Sequence, residues 1–247
     1  MKRIFYLSIY LYIFISISIS NAQEYNIFKE DMVEVSFISS VTKVTEEKFY
    51  LGLEFKLEPG WKIYWRQPGD SGMPPTLDYQ DSINLKSLEL KWPFPIKEYE
   101  AANLLTNIYK GEVIIPLEVT VNDYNNPLNL KSKLNFQVCK DICIPFDTNL
   151  FINIDSGQSN FTNYFHKIEK ALSKVPVDYK TVGIKNILMN RDSENSLFFS
   201  LESLVDIEEG EIEIFLENKD EYIKVNEINI NENVDNKISA KIILDKD

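Results

Sequence analysis

Two cysteines, Cys139 and Cys143, are the only thiols in this chain of 247 residues, and they sit together in Phe136-Gln137-Val138-Cys139-Lys140-Asp141-Ile142-Cys143-Ile144-Pro145. Three chemistries are open to such a pair: reversible thiol–disulfide exchange, a static disulfide staple, or a two-thiolate Cu(I) site. Four steps of extended strand would hold the Cα atoms about 13 Å apart, whereas a disulfide needs roughly 4.4–6.8 Å. A bonded pair therefore requires residues 139–143 to fold back, as a tight turn between strands or as one helical turn. Lys140-Asp141 as polar tip residues and Pro145 just after the second cysteine suit a hairpin corner. As a staple the pair gains little, because closing a loop of about five residues removes on the order of 2 kcal/mol of chain entropy before strain. Local bonds of this kind tend to be the labile or catalytic ones. Lys140 would lower a neighbouring thiol pKa and Asp141 would raise it, so the sign is open.

The rest of the composition narrows the alternatives. One histidine, His166, leaves no His-rich zinc site and little room for a His-dependent triad. Its place within a helical stretch suits a solvated helix face. Asp and Glu outnumber Lys and Arg by 38 to 26, a net charge of −12, which repels phosphate backbones and argues against nucleic acid as a partner. No Gly-rich phosphate loop and no Gly-x-Ser-x-Gly occur, and no cofactor is expected. Trp61, Tyr64, Trp65 and Trp92 can be read as an aromatic sugar platform, but at strand spacing they read first as half core and half surface. The acidic runs Glu46-Glu47 and Glu208-Glu209 read as solvated faces.

The elements that must position the cysteines read as strands. Val33–Ile38 and Phe49–Leu57 alternate, and Pro59-Gly60 closes the second. Trp61–Trp65 alternates before Gln67-Pro68-Gly69-Asp70-Ser71-Gly72-Met73-Pro74-Pro75, which is expected to be an ordered loop. Leu85–Lys91, Glu112–Val121, Leu128–Cys139 and Cys143–Ile154 complete a pattern of short strands that predicts an all-β sandwich over 25–155. Asp155–Asn160 reads as a linker. Phe161–Leu172 has helical spacing, and strands are expected at Ile184–Met189, Ser196–Leu201, Glu211–Leu216, Tyr222–Ile230 and Lys237–Leu244. Residues 161–247 are thus expected to form a second, smaller β-domain with a short leading helix.

Residues 1–22 read as a signal peptide. Lys2 and Arg3 precede the apolar run Ile4–Ile19, and Ser20-Asn21-Ala22 offers a cleavage site before Gln23. The competing expectation is an uncleaved N-terminal membrane tether. The abundance of Ile, Asn and Lys suggests an AT-rich bacterial genome, and with it a periplasmic location.

Four motifs in order carry a resemblance. Gly60-Trp61-Lys62-Ile63-Tyr64-Trp65-Arg66-Gln67-Pro68-Gly69-Asp70-Ser71-Gly72-Met73-Pro74-Pro75, Trp92-Pro93-Phe94-Pro95, Tyr109-Lys110-Gly111-Glu112-Val113 with Pro116, and Val138–Pro145 together resemble the N-terminal periplasmic domain of the DsbD thiol:disulfide interchange proteins. The likeness spans about residues 30–155 and is closest to the ScsB-like branch (suppressor of copper sensitivity). It implies an immunoglobulin-like β-sandwich whose Cys139 and Cys143 cycle between dithiol and disulfide. Electrons would arrive from a membrane-embedded thiol reductant or a thioredoxin-like domain and pass to oxidised periplasmic proteins. It also implies a cap loop over the pair, matching Ile96–Tyr109, with Tyr99 as the shielding ring. Two departures stand out: C-x3-C is tighter than the spacing in the best-known members, and no C-x-x-C or transmembrane electron-transfer segment occurs in the sequence. The chain is thus expected to be a relay subunit with a separate reductant, or part of a longer product. The alternative is a non-catalytic binding or assembly module with a structural disulfide, or a copper-tolerance factor.

Overall fold

The computed structural model describes residues 23–205, 212–217, 224–234 and 236–244; the expected signal peptide, 1–22, lies outside them. Strands in chain order are β1 (Glu24–Tyr25), β2 (Ile27–Glu30), β3 (Val33–Ser39), β4 (Lys48–Leu57), β5 (Lys62–Gly69), β6 (Thr76–Asp78), β7 (Leu85–Leu90), β8 (Ile96–Tyr99), β9 (Leu105–Lys110), β10 (Glu112–Val121), β11 (Leu128–Cys139) and β12 (Cys143–Ile154). Helix α1 (Phe165–Leu172) follows, then β13 (Ile184–Ser193), β14 (Ser196–Ser203), β15 (Val225–Val234) and β16 (Lys237–Leu244). Two antiparallel sheets face each other as an immunoglobulin-like sandwich. One runs β1-β12-β11-β5-β9-β8, with β6 also on β11; the other runs β2-β3-β4-β10-β7. A smaller sheet, β13-β14-β16-β15, follows.

Alternation sorts the side chains into layers. Val35, Phe37, Leu51, Leu53, Phe55, Ile115 and Leu117 of one sheet meet Ile63, Trp65, Leu134, Phe136 and Val138 of the other in the core. Full burial of each is worth roughly 1.5–3 kcal/mol. Edge-to-face contacts of Phe136 with Phe28 and Phe55 add directional packing.

The opposite faces carry two satellites. On β3, β4 and β10, Ile38 and Ile114 receive Ile168 and Ala171 of α1. Lys167 at the helix margin bonds Glu112 at 2.6 Å and the buried Glu54 at 3.3 Å. Gly52 lies beneath this contact, where an added Cβ would stand 2.8 Å from Ile114 Cγ2 and 2.9 Å from Ile38 Cγ1. A Gly52→Ala chain is therefore expected to lose about 1–3 kcal/mol, read as a lower urea midpoint with an unchanged slope. On the far face of the other sheet, Tyr64, Ile108 and Cys139 form a separate small cluster.

Several expectations change in detail. The helix begins at Phe165 rather than Phe161, because Phe161 bridges Val41, and Thr162 bonds Ser39 O and receives Tyr164 N–H. The presumed linker is strapped to the sandwich through Val44 N–H to Asp155 O and Gly157 N–H to Val44 O. Strand β5 runs on through Pro68, which its ladder tolerates because the register breaks between Tyr64 and Gly69. The strand expected at Glu211–Leu216 is replaced over 212–217 by irregular chain that packs back on the sandwich; Glu211 itself lies outside the described residues. Phe215 meets Trp65 edge-on, Lys97 donates to Ile214 O, and Glu217 takes both Nε and Nη2 of Arg66. Tyr222 also lies outside, and the fourth of the expected strands is seen as Val225–Val234.

Candidate functional site

The site grows from the β11–β12 hairpin. The two strands pair without a break from Leu128↔Ile154 to Cys139↔Cys143, and Lys140-Asp141-Ile142 turns between them with Lys140 N–H on Ile142 O. A C-x3-C spacing on this register makes the cysteines direct cross-strand neighbours. Their Cα atoms are 4.1 Å apart and the sulfurs are bonded. The fold-back that the spacing demands is thus a hairpin turn rather than a helical one.

The two sulfurs are unequal. Phe136 and Val138 point into the sandwich core, so Cys139, next along the strand, points to the opposite face. There it packs with Tyr64 and Ile108 and is only 1% exposed. Cys143, on the edge side of the hairpin, is exposed, and so is Ile142 at 68%. β5 brings Lys62 opposite Cys139 and Tyr64 opposite Ile108 of β9, all on one face. Tyr64 Oη lies 3.9 Å from Cys143 Sγ.

Polar groups from the β8–β9 hairpin close around this corner. Lys62, its side chain 7% exposed, bonds Glu98 Oε1 at 2.9 Å and Glu100 Oε1 at 2.8 Å. Lys110 binds the other oxygen of Glu98. Tyr64 Oη donates to Glu100 at 3.4 Å, and Thr106 Oγ1, fully buried, donates to the same carboxylate at 3.0 Å. Two lysines thus balance two glutamates beside the sulfurs. Burial raises the Tyr64 phenol above its ordinary range, with the Glu100 charge acting the same way. Burial alone would lower Lys62, but its bonds to Glu100 and Glu98 outweigh that and hold the ammonium high. For Glu98 burial acts upward, and the bonds from Lys110 and Lys62 outweigh it, so the carboxyl titrates low.

Sequence reasoning placed Cys139 and Cys143 in one motif, and the structure joins them. Tyr99 ends β8 and is 74% exposed; the aromatic group at the sulfur is Tyr64, which the sequence offered as part of an aromatic run and of the first family motif, with no role at the cysteines. Lys62, Glu98 and Glu100 went unnoticed. Their trace was an alternation, Lys62/Tyr64 and Glu98/Glu100, whose polar members share a face with the cysteine; only the pairing of β5, β8, β9 and β11 makes that face one place.

The fold matches a solved structure, the N-terminal periplasmic domain of ScsB from Proteus mirabilis, with a TM-score of 0.65 and 23% identity over 92% of this chain and 87% of that one. The reduced DsbD N-terminal domain of Neisseria meningitidis aligns with a TM-score of 0.29 and 13% identity, over 52% of this chain and 91% of that one. No curated protein matches the chain. Residues 30–154, which hold β3–β12 of the sandwich, the cysteine hairpin and the Lys62–Glu98–Glu100 network, match the family model of the thiol:disulfide interchange protein DsbD, N-terminal, and the chain belongs to that family.

Proposed function

We propose that the chain is a periplasmic thiol–disulfide relay module working through Cys139 and Cys143. The observation that carries this is the asymmetry of the pair: one sulfur offered to solvent at a hairpin end, the other held beneath it. In the accepting direction a thiolate of the reductant attacks Cys143 Sγ. The Cys139–Cys143 bond breaks, and Cys139 leaves with the electron pair and takes a proton. The reductant's second thiol then attacks the mixed disulfide and releases Cys143, so two electrons and two protons have passed to this chain. In the donating direction the Cys143 thiolate attacks the disulfide of an oxidised exported protein and Cys139 resolves the intermediate. The Tyr64 hydroxyl, 3.9 Å from Cys143 Sγ, donates to Glu100 and would hydrogen-bond a thiolate at Cys143 only on leaving that acceptor.

The partners that this chemistry requires are a membrane-embedded thiol reductant or a thioredoxin-like domain on one side, and oxidised periplasmic proteins on the other. The 96–109 hairpin acts as the cap through Glu98 and Glu100; Tyr99 would shield the sulfurs only after an inward movement of the 100–104 turn. A purely structural staple is disfavoured because β11 and β12 are already paired up to the turn, so the bond adds little constraint. The test is a titration of the folded chain against glutathione buffers, with free thiols alkylated and counted by mass. The pair is expected to equilibrate at a potential well above about −300 mV. A bond that stays closed below that value in folded protein would make it a staple and overturn the relay.

A further inference from the structure

We propose that Asp70 is a positioning residue for this thiol–disulfide pair, holding the β8–β9 turn at Leu105 so that Glu100 stays against Tyr64 and Lys62 beside Cys143. The inference rests on the relay reading for its purpose, but its geometry stands apart from it. Regular pairing of β5 with β9 is interrupted before the turn: β5 advances from Tyr64 to Gly69 while β9 advances only from Ile108 to Thr106, the last pair. β8 still pairs this end of β9 through Glu98↔Thr106 and Tyr99↔Leu105, but on the β5 side the ladder ends at Thr106 and leaves Leu105 without a strand partner. Asp70 takes that place with two bonds to one residue. Its N–H donates to Leu105 O at 2.9 Å, and its Oδ2 accepts from Leu105 N–H at 2.8 Å. A side-chain oxygen thus supplies the acceptor that a paired strand would supply from its backbone.

The flanking glycines make the approach possible. Gly69 has φ +95°, and a Cβ there would stand 2.3 Å from Leu105 O; Gly72 has φ +97°, and a Cβ there would meet the Tyr64 ring at 2.3 Å. The 69–72 segment therefore presses on both the turn and the tyrosine. On its other side the turn is held at Glu100, whose carboxylate bonds Lys62, Tyr64 and Thr106. Glu100 N–H bonds Leu104 O, and Ala102 and Asn103 at the tip sit at φ +62° and +59°, the left-handed region that a Cβ disfavours. Next to Leu105 is Thr106, whose hydroxyl grips Glu98 O and the Glu100 carboxylate. The path from Asp70 to the sulfur runs Leu105, Thr106, Glu100, Tyr64, Cys143.

Loss of the clamp has a sign. When Glu100 drifts away, a carboxylate leaves the neighbourhood of the sulfur and the Tyr64 hydroxyl loses its acceptor, becoming free to donate to a Cys143 thiolate. Both changes favour the thiolate. In chemically reduced Asp70→Ala protein, the pH midpoint for alkylation of Cys143 is expected to fall. The rate below the midpoint rises by roughly threefold, the equivalent of half a pK unit. Amide exchange at Leu105 and Thr106 should quicken by about tenfold as the turn opens locally. Asp70→Asn keeps an acceptor oxygen and should stay within about twofold of the parent in both readouts. Glu100→Gln should reproduce the midpoint shift with the parent's exchange at Leu105, and it serves if Asp70→Ala does not fold. An unshifted profile in Asp70→Ala or in Glu100→Gln, or an Asp70→Asn that behaves like Asp70→Ala, overturns the positioning role. These readouts use reduced protein and amide exchange, so a pair that glutathione fails to reduce sinks the relay while leaving the clamp to be judged by itself.

Discussion

A Cys139→Ala chain is expected to accumulate a mixed disulfide with a thioredoxin-like partner that keeps only its attacking cysteine, supplied as a mixed disulfide with a small aromatic thiol, and a Cys143→Ala chain is expected to accumulate none. The difference follows from burial. Cys143 is exposed at the hairpin end, whereas Cys139 is 1% exposed under Tyr64 and Ile108. A thiolate must reach along the partner's S–S axis to attack, and only Cys143 has the open side. Cys143 displaces the small thiol, and with Cys139 and the partner's second cysteine both absent no thiol within the complex resolves it, so it persists until an external thiol arrives. Without Cys143 the remaining thiol is walled in, and exchange with a protein disulfide should fall by on the order of 100-fold or more. Non-reducing gels and mass measurement after acid quenching read both outcomes. Equal trapping by the two variants would mean that the corner opens enough to make the cysteines equivalent. Trapping by Cys143→Ala alone would reverse the assigned order of attack. Removing the Cys139 sulfur should cost only about 1–2 kcal/mol, so the trap is expected to be a folded protein.

Much of this was legible because hairpins write themselves locally. Leu128–Cys139 and Cys143–Ile154 alternate up to the same short turn, and the ladder follows them residue for residue. The extended-strand distance excluded a straight chain between the cysteines, and the structure adds which fold-back is used. Other features depend on partners far along the chain. Pro68 reads as a strand breaker, yet it lies in β5, because the irregularity between Tyr64 and Gly69 removes the need for its missing N–H. The 212–217 segment has strand-like alternation. Its Phe215 is spent instead on Trp65 and its Glu217 on Arg66, contacts that no local pattern encodes. Tyr99 was the cap residue that the resemblance implied over Ile96–Tyr109, whereas the group at the sulfur is set by the lateral order β11-β5-β9-β8. Which cysteine attacks was equally hidden. It depends on which face of β11 turns away from the core and on what β5 lays across it.

Lys62 is where that lateral order has its largest energetic consequence, and Lys62→Met is expected to destabilise the sandwich by about 2 kcal/mol near neutral pH. A fully buried ion pair that loses one member costs about 3–5 kcal/mol. The figure here is smaller because Glu98 and Glu100 retain 29% and 22% exposure and Glu98 keeps Lys110. The loss has a pH window that identifies its cause. Lys62 is held above its ordinary 10.5, so its contribution is complete below that pH and disappears as pH rises through the folded value. Glu98 is held below its ordinary 4.5, so its contribution is complete above that pH and disappears as pH falls through the folded value. The gap between parent and variant should therefore be widest between about 4.5 and 10.5 and narrow on either side. Urea unfolding at acidic, neutral and strongly alkaline pH measures it. A gap that does not change with pH would mean that Lys62 acts through the packing of its stem alone. The same substitution leaves two carboxylates without their shared cation beside Cys143, which disfavours the thiolate. Slower attack on partner disulfides at neutral pH is expected to accompany the lost stability, and the two should be restored together by Lys62→Arg, which returns the charge.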